Sequence, residues 1–529
     1  MERTEHIHNR IAARLLDHIE QRSTDQADAP LQVPSASYLD AGLWQREMDV
    51  IFKRVPLFAA ASAELLPGHY KTLKLIGTSL LLTRLRDGSV RAMLNACGHR
   101  GMQLAEGQGK CEKFACPYHA WLYSNDGELL RIAGEDSYGQ VEKAAFKLKQ
   151  LPVYERAGMI FVVLTADLEV DFEDFFAGML DDIEALGFKD WHYCGSREIH
   201  GANWKIAYDG YLEGYHFAAA HPTTIHARTF SNLAAYHFYG PHQLIGFAQK
   251  SMRDKLGQLP RDDLHQHENN GYDYVRTLFP NVSIFVAPEI TQVAQLIPGP
   301  TVGENRTVLH FLHPRAPQGD EERQANEQMM DWLRDVVQKE DYDLGLSVQE
   351  GLRSGAFENV TFGRNEPGNQ HFHRTLERYL SEAAPAPVPR DATGDEAAIQ
   401  SVLLGVARAM DQRETDQLGQ FFAGDAQADY GVLGQFQGLP AIREVVDGAL
   451  GRCAGTQHLL GNLRIELDGD RAQARTYLQA LHLGQGKHQG QSLTLWGEYH
   501  DRLERRAEGW RIVERRLKAM HSEGDIGLF

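Results

Sequence analysis

Two short segments constrain this chain more tightly than anything else in it: NACGHRGMQL at 95–104 and CPYHAW at 116–121 each offer one cysteine and one histidine. Cys97 and His99 form a C-x-H pair, Cys116 and His119 a C-x2-H pair, and residues 100–115 separate them. Histidine makes up 24 of 529 residues, so a given cysteine has a histidine at a stated offset about once in twenty. Two such pairs in one short region are not an accident of composition. The surrounding segments, KTLKLIG at 71–77, SLLLTRLRDGSVRAML at 79–94 and AGMIFVVL at 157–164, alternate apolar and polar residues and break at Gly, Asn and Asp. This predicts an all-β region from about 48 to 165.

Two thiolates and two imidazoles are the ligand set of a [2Fe–2S] cluster whose potential lies above that of an all-cysteine cluster. Structural zinc would group Cys with Cys and His with His, and C-x-H is too short for its usual spacing. Cys111 falls between the two loops and reads as a packed core thiol. Five cysteines, unevenly placed, are too few for a disulfide framework.

A second cluster of chemistry lies at 203–222, NWKIAYDGYLEGYHFAAAHP, a helix-like stretch stopped by Pro222. His216 and His221 are five residues apart, about 140° around an ideal helix, so they cannot share a metal from one regular face. The helix is therefore expected to end or loosen between them, with Ala218, Ala219 and Ala220 letting backbone approach closely. Two neutral imidazoles supply part of a 2-His-1-carboxylate set. The stretch 323–353 offers the acid: Leu333, Val337, Leu344 and Val348 share one helical face with Asp341. A buried carboxylate is costly unless it is paired or binds metal, which ranks Asp341 above Glu340 and Asp343, read as solvated helix charges.

At 529 residues the chain is expected to hold about three domains. The reading places a helical segment at 1–45 against the catalytic domain, the all-β domain at 46–165, an α+β domain at 166–382, a proline-rich linker at 383–392, and a small α+β domain at 393–529. In the last, helices come first and four strands follow, joined at 468–470, 484–490 and 507–510. The net charge of −18 disfavours nucleic acid and anionic membrane surfaces as partners. No apolar run reaches the roughly 20 residues of a membrane span, and the amino terminus lacks a signal-peptide core, so a cytoplasmic protein is expected.

CGHRG and CPYHAW resemble the two cluster loops of the ring-hydroxylating oxygenases with a Rieske domain, with His99, Arg100, Gly101, Pro117, Tyr118 and His119 following the pattern. The NWK…E-x-Y-H-x4-H-P stretch and EDYDLGLSVQEGL resemble the mononuclear-iron segments of the same family. The resemblance covers about 35–380 and implies a helix-grip-like catalytic domain. It further implies a cluster on Cys97, His99, Cys116 and His119, and Fe(II) on His216, His221 and Asp341. It makes Glu213 the link from His119 of one subunit to His216 of its neighbour; read from residues alone, Glu213 could equally orient His216 within one chain. Where the family often has Glu-Asn, this chain has Asp209-Gly210, with no amide at 210.

Residues 394–520 resemble the SnoaL-like (NTF2-like) cone. Asp411 and His458 fall where dehydratase-like members carry an acid–base dyad; a purely structural role for the pair is the preferred reading.

The implied activity is O2-dependent hydroxylation of an aromatic substrate, expected as cis-dihydroxylation. A monooxygenase or O/N-demethylase of the same architecture is the alternative, and a Rieske electron carrier is the rival from another class. Without a G-x-G-x-x-G after a strand, no nicotinamide site is evident, so electrons from NAD(P)H would arrive through a flavin reductase, with or without a ferredoxin. A homotrimer or a multiple of it is expected.

Overall fold

The computed structural model describes residues 2–265, 271–287, 290–382, 392–506 and 509–527. The chain folds into two compact units, Met1–Ala384 and Pro385–Phe529. Residues 383–391, most of the expected linker, lie outside the described residues, and residue 392 opens a helix.

The cysteine and histidine loops sit on an all-β portion. Strands His69–Leu75, Thr78–Arg84 and Val90–Leu94 form an antiparallel meander, extended by Gln108–Lys110 on one edge and Gln150–Leu151 on the other. A three-stranded ladder, Lys113–Ala115, Leu122–Ser124 and Leu129–Arg131, carries the second loop. IFVVL is buried as expected, within and just after the strand Met159–Val162. Met48–Phe52, expected to open the β region, is a helical π turn.

The second half of this unit is built on seven antiparallel strands in the order His192–Gly201, Asn305–His313, Thr291–Pro298, Val282–Phe285, Tyr272–Leu278, His242–Gln249 and Thr229–Tyr239. The amino-terminal helix Glu2–Gln21 presents Ile7, Ile11 and Leu15 at four-residue spacing, all buried against the last two strands. Gly246 permits this approach, because a Cβ there would come within 2.5 Å of Ile11 Cγ2. Strand Leu31–Pro34, within the segment expected to be helix and loop, pairs with Asn359–Phe362.

The stretch expected as one helix over 323–353 is two, Asp320–Val337 and Asp343–Arg353, joined by a π turn at Gln338–Tyr342. The turn's extra residue rotates the face that follows, so Leu344 and Val348 are exposed rather than in line with Leu333 and Val337.

The second unit packs helices Ala392–Gln412 and Leu439–Leu450 on a six-stranded sheet. Its four long strands, Cys453–Asp468, Arg471–Gly484, Ser492–Arg506 and Gly509–Gly524, are antiparallel neighbours, as expected. Two shorter strands, Phe422–Asp429 and Gln435–Gln437, come between the helices, and the first pairs parallel with Gly509–Gly524. Among the described residues no helix is long and apolar enough to cross a membrane.

Candidate metal centres and cavity

The two cluster loops are closed in the same way. Cys97 N–H donates to Met102 O and Gly101 N–H to Cys97 O, each at 2.8 Å; Cys116 N–H donates to Trp121 O and Ala120 N–H to Cys116 O, also at 2.8 Å. Each loop needs a left-handed residue four positions after its cysteine, Gly101 at φ 75° and Ala120 at φ 55°. The result presents Nδ1 of His99 to Nδ1 of His119 at 3.1 Å, with the rings' centroids 4.5 Å apart. Cys97 and Cys116 are buried. Burial pushes the Cys97 thiol up, and the Cys116 thiol adds to the rise. Tyr123 Oη lies within hydrogen-bond distance of Cys97 Sγ at 3.5 Å and accepts from Gly98 N–H at 3.0 Å, while the His99 ring stacks on Trp121. Cys111, expected as a packed core thiol, packs half-buried against this core, with its thiol donating to Lys113 O at 3.0 Å.

The 203–222 stretch is not one helix. Trp204–Asp209 is helical, the chain then opens, and a single turn, Phe217–Ala220, runs between the two histidines. His216 precedes that turn and His221 follows it in a non-helical conformation, so the helix ends between the pair as expected, and a second break, after Asp209, comes before His216. Asn203 caps the first helix through Lys205 N–H at 2.8 Å and ties it to Tyr38 O and Val302 O. Trp204 and Lys205 both reach the buried Glu47 carboxylate. Asp209 points away from the histidines, accepting from Tyr38 Oη at 2.8 Å and bonded to His373 Nε2 at 2.9 Å, whereas Gly210 lines the cavity described below.

His216, His221 and Asp341 converge, their ligand atoms lying within 4.8 Å of one another. Asp341 Oδ1 is 3.0 Å from His221 Nε2 and 3.6 Å from His216 Nε2. Each Nδ1 is held by a different carboxylate: Glu213 bonds His216, and Glu340 bonds His221 at 2.6 Å while also accepting from Thr224 Oγ1. Both rings thereby turn Nε2 inward, toward Asp341 Oδ1. Burial opposes charge on Asp341, yet the two imidazoles hold its carboxyl below the usual range. Glu340, expected as a solvated charge, is thus part of the site; the π turn brings it and Asp341 to the same imidazole. Asp343 stays outward, bonded to Gln338. Tyr342 anchors the turn through Thr307 at 2.6 Å, over Gly201, where a Cβ would meet its ring at 2.6 Å.

A cavity of about 420 Å³ opens beside these residues. Its lining runs from Ala207 to Asp341 and is mostly apolar, with Tyr211, Phe217, Phe247, Phe285 and Trp332 as aromatic walls. One wall of the cavity, Met329–Val337, comes from a helix distant in sequence that long-range packing brings beside these residues.

Residues 55–152 match the Rieske [2Fe-2S] domain, residues 188–382 the ring hydroxylating alpha subunit catalytic domain, and residues 391–516 a SnoaL-like domain. The chain belongs to the Rieske oxygenase large subunits. It is 27% identical over 378 residues to the carnitine monooxygenase oxygenase subunit of Escherichia coli, covering 66% of this chain and 94% of that protein. It is 28% identical over 203 residues to the anthranilate 1,2-dioxygenase large subunit of Acinetobacter baylyi, covering 37% and 43%. Among solved structures, a quaternary ammonium Rieske monooxygenase with L-carnitine shares the fold at TM-score 0.57 and 23% identity, over 66% of this chain and 95% of that one. Naphthalene 1,2-dioxygenase from Rhodococcus does so at 0.54 and 20%, over 70% and 97%.

As a Rieske oxygenase the chain works with a [2Fe–2S] cluster, a mononuclear non-haem iron, O2 and electrons delivered by a reductase. The donor chemistry fits both centres: two buried thiols and two facing imidazoles in one place, two oriented imidazoles and an anionic carboxylate in the other. In the SnoaL-like unit, Asp411 bonds His458 Nδ1 at 2.7 Å and also accepts from His458 N–H and Thr456 Oγ1. His458 and His482 border a small second cavity of about 80 Å³.

Proposed function

We propose that this oxygenase is a monooxygenase that oxidises a carbon next to nitrogen in a small quaternary ammonium compound. The observation that carries this reading is coverage: the likeness to the carnitine monooxygenase subunit extends over 94% of that protein, that to the anthranilate dioxygenase over 43%. The aromatic walls of the cavity support it, since ring faces attract an alkylammonium that cannot donate hydrogen bonds. The expected cis-dihydroxylation of an aromatic ring is the less supported reading.

In this proposal Cys97, His99, Cys116 and His119 hold the cluster, and His216, His221 and Asp341 hold the iron. When bound, these groups supply single electrons and a centre for O2 activation. Glu213 and Glu340 fix the ring orientations, and Glu213 also lies on the electron route to His216, with His119 as its counterpart across a subunit boundary. The apolar lining excludes bulk water, and the aromatic walls hold the ammonium so that an adjacent C–H bond faces the His216 side. One oxygen atom enters that bond and the other leaves as water, using two electrons and two protons. The hydroxyl beside nitrogen then collapses to an aldehyde and an amine.

The test is incubation with a reductase, NADH and O2, offering glycine betaine, carnitine and anthranilate separately. An aldehyde and an amine from an ammonium substrate are expected. A cis-diol or catechol from anthranilate, with no turnover of the ammonium compounds, overturns the proposal.

A further inference from the structure

We propose that Arg228 recognises a carboxylate on the substrate, which makes this cavity selective for acids. The inference rests on reading the cavity as the substrate site but not on the ammonium group.

Arg228 is the one lysine or arginine among the described residues lining the cavity. Its main chain is fixed: it ends the helical turn Ile225–Arg228, its carbonyl accepts from Lys250 N–H at 2.8 Å, and Thr229 next to it pairs with Gln249. Its head is not tied down in the same way. The nearest acid, Asp273 Oδ2, is 3.7 Å from Nη2, too far for a hydrogen bond, and among the described residues the guanidinium makes none. Asp273 is itself engaged by Gln249 Nε2 at 3.0 Å.

A cation with five N–H donors therefore stands at an apolar cavity, half exposed, with a buried carboxylate close enough to aim it but not to saturate it. Such a fork matches a planar carboxylate bidentately, a geometry that a lysine cannot reproduce. A ligand carboxylate at this site gains a charge-assisted pair that an uncharged ligand cannot form.

The experiment uses holoenzyme with both metal centres and no reductase, so that binding is read without turnover. Calorimetry compares two pairs, glycine betaine with choline and anthranilate with 2-aminobenzamide, in the wild type, Arg228→Gln and Arg228→Lys. At least one acid is expected to bind more tightly than its counterpart. Arg228→Gln should weaken that acid on the order of tenfold or more, with Arg228→Lys intermediate. The counterpart's affinity should be the same in all three proteins. Anthranilate binding that depends on Arg228, with neither ammonium compound bound, would keep this inference and remove the quaternary ammonium reading. Choline bound as tightly as betaine, with Arg228→Gln changing neither, would do the reverse. Equal loss of acid and counterpart in Arg228→Gln, or binding of neither member of either pair, would also overturn the inference.

Discussion

Glu340 takes the Nδ1 hydrogen of His221 at 2.6 Å while its neighbour Asp341 faces Nε2 of the same ring at 3.0 Å, so two consecutive acids grip one imidazole from both sides. Adjacent residues on a regular helix point about 100° apart. The π turn at Gln338–Tyr342 supplies the geometry that lets both reach His221. Glu340→Ala should weaken iron binding about 10- to 100-fold and leave the cluster spectrum intact. Glu340→Gln, which keeps an acceptor, should lose less. Iron content after dialysis checks this, and an unchanged value in Glu340→Ala would reject the orienting role.

The NWK motif reads in the structure as a buried anchor. Lys205 and Glu47 form an ion pair with side chains 1% and 2% exposed, and Trp204 Nε1 donates to the same carboxylate at 3.0 Å. Burial pushes the Glu47 carboxyl up, and Lys205 opposes the rise. Lys205→Met leaves that carboxylate uncompensated and should destabilise the unit by about 3–5 kcal/mol in chemical denaturation. Restoration by a second change, Glu47→Gln, would identify the stranded charge as the cause.

Mild acid should destabilise the protein through His242. Burial lowers this residue to about 3, and its Nδ1 accepts from Phe279 N–H at 2.9 Å, a bond that protonation abolishes. The unfolded chain takes up the proton near pH 6.5, so this contribution is complete above that pH and declines as pH falls toward 3, by up to roughly 1.4 kcal/mol per unit. Asp182 behaves differently: burial would raise its carboxyl, but Arg276 and His8 hold it at about 2, so its contribution is lost only between about pH 4 and 2. Urea midpoints across pH 4–7 should fall with acidity in the wild type and fall less in His242→Asn.

For the SnoaL-like unit, Asp411 already accepts three hydrogen bonds and joins the helix Ala392–Gln412 to the strand Cys453–Asp468, which favours an anchoring role. Asp411→Asn should cost about 1–3 kcal/mol of stability, and Asp411→Asn with His458→Ala should leave the oxygenation product unchanged. Accumulation of a hydroxylated compound that the wild type converts further would assign the pair to catalysis instead.

The two Cys–His loops stood out because their residues are close in sequence and chemically rare, and period-two alternation located the strands around them. His216 and His221 stood out for the same reason, although the additional break after Asp209 was not foreseen: Gly210 and Gly214, which flank the opened chain, carry no periodic signal. Glu340 was missed because a π turn adds one residue without changing composition, so a 3.6-residue wheel assigned it to solvent and put the exposed Leu344 and Val348 on the inner face. Arg228 and the Met329–Val337 wall depend on long-range packing that no local pattern encodes.

The two-centre account is tested most directly by iron and acid-labile sulfide per chain in Asp341→Ala against the wild type. The wild type should hold about three irons and two sulfides. The variant should hold about two of each, with the reduced-cluster EPR signal retained and product formation lost. Three irons with undiminished activity in Asp341→Ala would contradict the assignment of this carboxylate, and with it the proposed iron site.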